Sequence, residues 1–242
     1  MPEMATRLLV LFAREPRRQA LEKGLPGRAG EQLFTAFAHG WVDAACRVGA
    51  RLAVAAPRAD RAGWQRRLSG TGIAFLDQRG SSFGQRLEDS ARRAADLGGS
   101  AVLVGGDVAP SSEILARAFG LLEKGADAVL GPSPDGGVSL IALPAEDLDL
   151  LRHIAPRRFD VFFRLSESLR ARGRRVGLVA AAPDVDGRRQ LRSLLPSLPT
   201  WLRETARQAL ALPRSGFRKQ HLLSLLPQRT CPSGLRAPPA AA

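Results

Sequence analysis

Short apolar runs alternate along this chain with stretches whose apolar residues recur every three or four positions, and that alternation predicts a parallel sheet covered by helices on both faces. Arg7 to Ala13 reads as the first strand and Glu31 to Val48 as a helix behind it. Arg51 to Ala56 follows as a second strand, Arg61 to Leu68 as a short helix, and Ile73 to Leu76 as a third strand. A helix is expected from about Phe83 to Leu97. Ala101 to Gly105 is apolar on both faces, as a central strand should be, and Ser111 with Ser112 and Glu113 supplies an N-cap for the next helix.

Two further strands, Ala128 to Gly131 and Val138 to Leu143, are separated only by Pro132-Ser133-Pro134-Asp135-Gly136-Gly137. A connection that short permits a tight antiparallel return, so the sheet is expected to be mixed. A helix from about Val161 to Arg172, a strand from Arg175 to Ala180 and a helix from Arg188 to Leu195 complete the unit. The expected division is therefore a domain over residues 1–195 and a basic C-terminal segment over 196–242, amphipathic from Trp201 to Leu212 and disordered at its Pro-, Gly- and Ala-rich end.

Composition narrows the class. With 45% hydrophobic and 24% charged residues in a chain of 242, disorder throughout is excluded. The net charge of +13 is almost wholly arginine, since the lysines are Lys23, Lys124 and Lys219 alone. Such a surface favours anionic partners such as phosphorylated ligands. The arginine pairs are dispersed over several elements with few aromatics between them, which argues against a nucleic-acid groove. Association with nucleic acid or an anionic membrane through the basic C-terminal segment is a weaker expectation. No apolar run approaches the roughly 18 residues of a membrane span. Cys46 and Cys231 have neither metal-knuckle nor disulfide spacing, so free thiols in a reducing cytoplasm are expected.

Candidate chemistry lies at strand ends, where open α/β sheets bind their ligands. Val102-Leu103-Val104-Gly105-Gly106-Asp107 ends a buried strand on an acid that either holds a divalent cation or turns the chain before Ser111. In Asp135-Gly136-Gly137 the acid either accepts hydrogen bonds from ligand hydroxyls or sits in a simple hairpin. Asp184-Val185-Asp186 places two carboxylates on one side of an extended segment, suited to magnesium or manganese, although Asp186 could instead cap the next helix. His39, His153 and His221 are scattered, and there is no P-loop, zinc signature or nucleophile elbow.

Taken together, these motifs resemble a known set. The order Leu8 to Arg17, Gln78-Arg79-Gly80 with Phe83-Gly84-Gln85-Arg86, Gly105-Gly106-Asp107, Leu130-Gly131-Pro132 with Asp135-Gly136-Gly137, and Asp184-Val185-Asp186 is similar to the DUF2064 family over about Arg7 to Leu195. That family is classed with GT-A glycosyltransferases and with MobA-like and phospholactate guanylyltransferase-like nucleotidyltransferases. The resemblance implies a three-layer α/β/α fold of the GT-A, nucleotide-diphospho-sugar transferase type, with a mostly parallel mixed sheet. It implies a metal-dependent glycosyl or nucleotidyl transferase with a nucleotide-sugar or nucleoside triphosphate donor and an unspecified acceptor.

On that basis Asp107 and Asp135 are the candidate catalytic residues, and Asp107 and Asp186 the candidate ligands of Mg2+ or Mn2+. Arg14, Arg17, Lys23, Arg79, Gly105, Gly106, Gly136 and Gly137 are the candidate donor-binding residues. The chain departs from the family where Lys-Thr-Arg-Leu becomes Glu22-Lys23-Gly24-Leu25, where Cys-Pro becomes Val108-Ala109, and where an aromatic pair becomes Val138-Ser139. A Trp-Ser-Thr stretch likewise becomes Pro156-Arg157-Arg158. These departures leave open a second reading, a catalytically degenerate GT-A-fold binding or scaffold protein.

Overall fold

Leu8, Leu9, Val10 and Leu11 are all buried, so β1 (Arg7–Phe12) has both faces covered and lies inside the sheet. The computed structural model describes residues 6–68, 72–155, 159–182 and 184–211. On one side of β1 lie β2 (Arg51–Ala56) and β3 (Ala74–Asp77), and on the other lies β4 (Ser100–Gly105), all parallel to it. Beyond β4 come β6 (Val138–Ala142), β5 (Ala128–Pro132) and β7 (Val176–Leu178), giving the order β3-β2-β1-β4-β6-β5-β7. β6 runs antiparallel to both neighbours, which is the tight return expected at Pro132 to Gly137. The α/β fold with a mostly parallel mixed sheet is the architecture that the alternating pattern predicts.

Side chains on alternate strand positions enter two separate cores. Leu9, Leu11, Val54, Val102 and Val104 pack with Trp41 of α2 (Arg28–Arg47), Trp64 of α3 (Arg61–Arg67) and Phe119 of α5 (Ser112–Glu123). Leu8, Val10, Ala53 and Leu103 pack on the opposite face, with Leu87 of α4 (Phe83–Ala95) and Leu165 and Leu169 of α6 (Val161–Ala171). Strong local signals start these helices. Ser82 and Gln85 form a reciprocal capping box on α4, and the Ser111 hydroxyl accepts the amide of Ile114 at 3.2 Å.

A third cluster lies outside the sheet and supports the site. Ala20 of α1 (Pro16–Glu22), Leu25, then Leu33, Phe34 and Phe37 of α2 enclose Val185. Leu191 and Leu194 of α7 (Arg188–Leu194) and Leu202, Ala206 and Ala209 of α8 (Thr200–Ala211) close it from the other side. The apolar face of the basic C-terminal helix is thus spent on packing against α2. No helix among the described residues is long and apolar enough to cross a membrane.

The chain also contains elements that the periodicity did not show: α1, and a 3-10 stretch at Ala145–His153. That stretch is tied to α4 by Glu88, a nearly buried acid that accepts Arg152 Nε at 2.7 Å and Arg92 Nη2 at 3.0 Å. The hydrogen bond from Arg152, with the further bonds and charge of both arginines, holds the Glu88 carboxyl below its ordinary value against the opposing effect of burial. A depressed acid contributes stability above its unfolded-state pKa and loses it as pH falls through the folded one. Glu88→Gln is therefore expected to lower stability at pH 7, with the gap to the parent closing below about pH 4. Urea unfolding at pH 7 and pH 3 measures this, and a gap equal at both values would exclude the ionised carboxylate as its source.

Candidate functional site

The strand order reverses at β1, because the chain passes from β1 outward through β2 and β3 and then returns to form β4 on the other flank. Such a switch point opens a crevice beyond the carboxyl ends of the two diverging strands. Asp107 stands there. Its chain turns sharply after β4, with the Val108 amide bonded to the Gly105 carbonyl at 3.2 Å and the Gly106 amide to the Phe12 carbonyl at 3.0 Å. Gly106 is required at this place, since a Cβ on it would lie 2.4 Å from the Cβ of Ala13. Ser111, not Asp107, caps α5.

Asp184 and Asp186 are carried to the same spot by a short antiparallel bridge. Val108 pairs with Asp184, and the Val185 amide donates to the Asp107 carbonyl at 2.9 Å. Alternation along this extended segment sends Val185, fully buried, into the third cluster and turns both flanking carboxylates the other way. Oxygens of Asp107, Asp184 and Asp186 lie within 4.8 Å of one another. Ser133 donates its hydroxyl to Asp184 Oδ1 at 2.9 Å. Burial, then the charges of Asp107 and Asp186, push the Asp184 carboxyl above its ordinary value, with the Ser133 bond opposing them and Asp135 adding to the rise.

Lys23 reaches this cluster from the end of α1. Its Nζ lies 2.6 Å from Asp107 Oδ2 and 2.5 Å from Asp186 Oδ1, and its side chain is only 16% exposed. Burial disfavours the ammonium, but the two carboxylates outweigh that and hold it above its ordinary value. The route taken by the loop is set by packing. Leu25 is fully buried, and Gly30 of α2 leaves room for its carbonyl, which would lie 1.7 Å from a Cβ there.

A divalent cation fits this donor set. Hard oxygen ligands stand about 2.0–2.6 Å from an ion, and carboxylate oxygens within 4.8 Å of one another reach one ion with small movements of their side chains. A positive group already sits between two of them.

The other candidates are placed differently. Arg14 bonds Glu22 at 2.9 Å, Arg17 is exposed beside a hollow of about 300 Å³ lined also by Leu21 and Arg28, and Arg79 is exposed beyond the edge strand β3. Among the described residues none of these arginines pairs with the acids. Gly105 leaves space for the Asp107 carboxylate, which would lie 2.7 Å from a Cβ on it. Asp135 is exposed and its Oδ1 accepts the Gly137 amide at 2.9 Å, within its own turn. Gly136 has φ of 85° and faces the Phe159 carbonyl, 1.9 Å from where its Cβ would be. The pair Gly136-Gly137 thus shapes the hairpin. Asp184 and Ser133 complete the cluster, and for Asp184 the signal was its two-residue spacing from Asp186. Ser133 carried no signal of its own. Pro156-Arg157-Arg158 lies outside the described residues.

The sheet order and the strand-end acids define a protein of the nucleotide-diphospho-sugar transferase and nucleotidyltransferase fold. The family profile described as "Uncharacterized protein conserved in bacteria (DUF2064)" matches residues 41–157, which bears out the resemblance read from the motifs. A protein from Desulfovibrio desulfuricans G20, provisionally described as a nucleotide-diphospho-sugar transferase, superposes with a TM-score of 0.72 at 22% identity, over 84% of this chain and 95% of its own. The inositol-1-phosphate CTP transferase of T. maritima superposes with a TM-score of 0.54 at 11% identity, over 85% and 96%. Rv0371c of Mycobacterium tuberculosis H37Rv, in a complex with manganese, gives a TM-score of 0.51 at 16% identity, over 80% and 100%. No curated protein matches the chain.

Proposed function

We propose that this protein is a divalent-cation-dependent transferase that takes a nucleotide-sugar or a nucleoside triphosphate as donor and moves its glycosyl or nucleotidyl group. One observation carries the proposal: Asp107, Asp184 and Asp186 converge with Lys23 at the topological switch point of the sheet. Asp107, Asp184 and Asp186 would hold Mg2+ or Mn2+, and such an ion supplies positive charge against the leaving diphosphate. The manganese complex of Rv0371c supports an ion of this kind on this fold.

The chain's own groups then have separate roles. Lys23 presents its ammonium to donor phosphates, and Gly105 and Gly106 serve the donor indirectly, by leaving room for the Asp107 carboxylate and for Ala13 at the end of β4. Asp135, exposed on the β5–β6 hairpin, faces the donor or acceptor hydroxyls. Arg14, Arg17 and Arg79 provide the wider field that favours a phosphorylated ligand. An exposed Cys46 thiol suits a reducing cytoplasm.

A thermal-shift screen of nucleoside triphosphates and nucleotide sugars with Mn2+ tests the proposal. Saturation at 100 times Kd stabilises a fold by about 2.7 kcal/mol, a rise of roughly 5–10 °C in Tm for a domain of this size. Absence of any metal-dependent rise across the set defeats it. A second reading, a GT-A-fold binding module without transfer, is favoured by the Asp135 oxygen being tied into its own turn and by Arg14 being paired with Glu22. Donor binding without release of nucleotide or pyrophosphate in mixed acceptor pools supports that alternative.

A further inference from the structure

The acid cluster is not charge-balanced in the form described. Three carboxylates face one ammonium, so a donor diphosphate approaching it meets net negative charge. Lys23 alone therefore does not prepare the site for an anionic ligand. Its Nζ also lies within 2.6 Å of oxygens of two of the three acids, and a cation coordinated by those same oxygens cannot share that space with it.

Resting on the transferase reading above, we propose that Lys23 is a tethered stand-in cation, displaced from Asp107 and Asp186 when a divalent ion binds and handed over to the phosphates of the donor. Its position makes the exchange feasible. Lys23 is the residue immediately after α1 and is followed by Gly24 at φ of 66°, while Leu25 anchors the chain beyond. The four-carbon stem can swing about this fixed point without disturbing the third cluster. With the ion in place, its two positive charges and the released ammonium together balance the three acids, and a diphosphate then adds the charge that the ammonium follows.

Displacement has a thermodynamic consequence. The ion binding alone must break two ion pairs and leave the ammonium without a partner, whereas the ion arriving with a diphosphate gives it a new one. Metal and diphosphate are therefore positively coupled through Lys23, and the coupling is reciprocal.

Mn2+ binding followed by electron paramagnetic resonance on the full chain tests this, with Mn2+ alone and with Mn2+ plus pyrophosphate, for the parent, Lys23→Met and Lys23→Gln. Two variants are used so that one of them reports if the other does not fold, and circular dichroism checks both. Pyrophosphate is expected to tighten Mn2+ binding to the parent by about tenfold or more, within the usual range of coupling. Both variants are expected to bind Mn2+ alone about tenfold tighter than the parent, with the effect of pyrophosphate much reduced. A parent that responds to pyrophosphate, beside variants that bind Mn2+ alone no tighter than it does, overturns the displacement and leaves the transferase reading standing. Variants that bind Mn2+ while the parent does not, even with pyrophosphate, also overturn it, because Lys23 is then a permanent occupant. If no form binds Mn2+ under either condition, the displacement and the transferase reading fall together.

Discussion

A chain ending at Leu195 is expected to lose at least a third of the stability of one ending at Ala211. The difference between them is Pro196 to Ala211, which carries Leu198, Leu202, Ala206 and Ala209, each no more than 1% exposed. Burial of a leucine contributes about 1.5–3 kcal/mol, so these residues together account for roughly 5 kcal/mol or more. The whole margin of a typical domain is only about 5–15 kcal/mol. Polar contacts are lost as well: Arg203 donates to the carbonyls of Leu198 at 2.8 Å and Pro196 at 3.1 Å, and Arg188 donates to those of Ala209 and Leu210.

The damage is expected to extend to the acids, since Val185 and Leu25 share the third buried cluster with Phe34 and Phe37. Loss of α8 thus loosens the segments that hold Asp184, Asp186 and Lys23. Chemical denaturation of the two chains measures the effect, with a midpoint far lower for the shorter one. Equal midpoints would show that the third cluster contributes nothing to the fold. The same packing bears on membrane or nucleic-acid association through this segment, because Leu202 and Leu210 are engaged with the domain and a deletion from Pro196 alters more than a tail.

Asp107→Asn is expected to weaken metal-dependent donor binding by about 100-fold or more, about 2.7 kcal/mol, while folding changes by no more than about 1 kcal/mol. The substitution removes a charged ligand from a set of three, and hard cations depend on such charge. It leaves the backbone untouched, so the Val185 amide still donates to the carbonyl of residue 107 and the bridge to Asp184 persists. Two effects on stability oppose each other. The ion pair with Lys23 is lost, but crowding of like charge around Asp184 is relieved. A cap on α5 is not lost, because Ser111 provides it. Calorimetric titration with Mn2+ and donor, beside a thermal melt of the same variant, separates the outcomes. Unchanged binding in a destabilised protein would assign Asp107 a purely structural role.

Much of the architecture was legible because the central strands are buried on both faces and the helices on one. The seven strands among the described residues follow the apolar runs, and the antiparallel return of β6 follows from the shortness of Pro132 to Gly137. The spacing of Asp184 and Asp186 disclosed their common side because a period of two needs no tertiary knowledge. What escaped the sequence depends on long-range contacts. α1 offers few apolar positions, and its start is fixed by Asp60, a buried acid 45 residues away that accepts the Glu15 amide at 3.0 Å. The 3-10 stretch at Ala145–His153 is likewise held by Glu88, 64 residues from Arg152. Lys23 could be named as a cation in the first loop, but its place among the acids is set by Leu25 and Gly30, which reveal nothing without their neighbours. Asp135 shows the opposite case, in which a motif with two readings adopts the turn geometry of the simpler one.

The bridge between Val108 and Asp184 joins two points 76 positions apart along the chain. The chain between them is built into the sheet, where β6 pairs with β4, but the tip of the β5–β6 hairpin and the exposed Phe159 against it lie at the surface. Insertions, deletions or wholesale exchange of its surface loops can alter what the protein admits without re-spacing the carboxylates. The spacing of the acids and the surface beside them are therefore separable by inheritance: libraries that randomise residues 134–135 or 159–160 vary that surface while Ser133 and the three carboxylates stay in place, whereas a single-residue insertion at 185 exchanges its buried and exposed sides and dismantles the cluster.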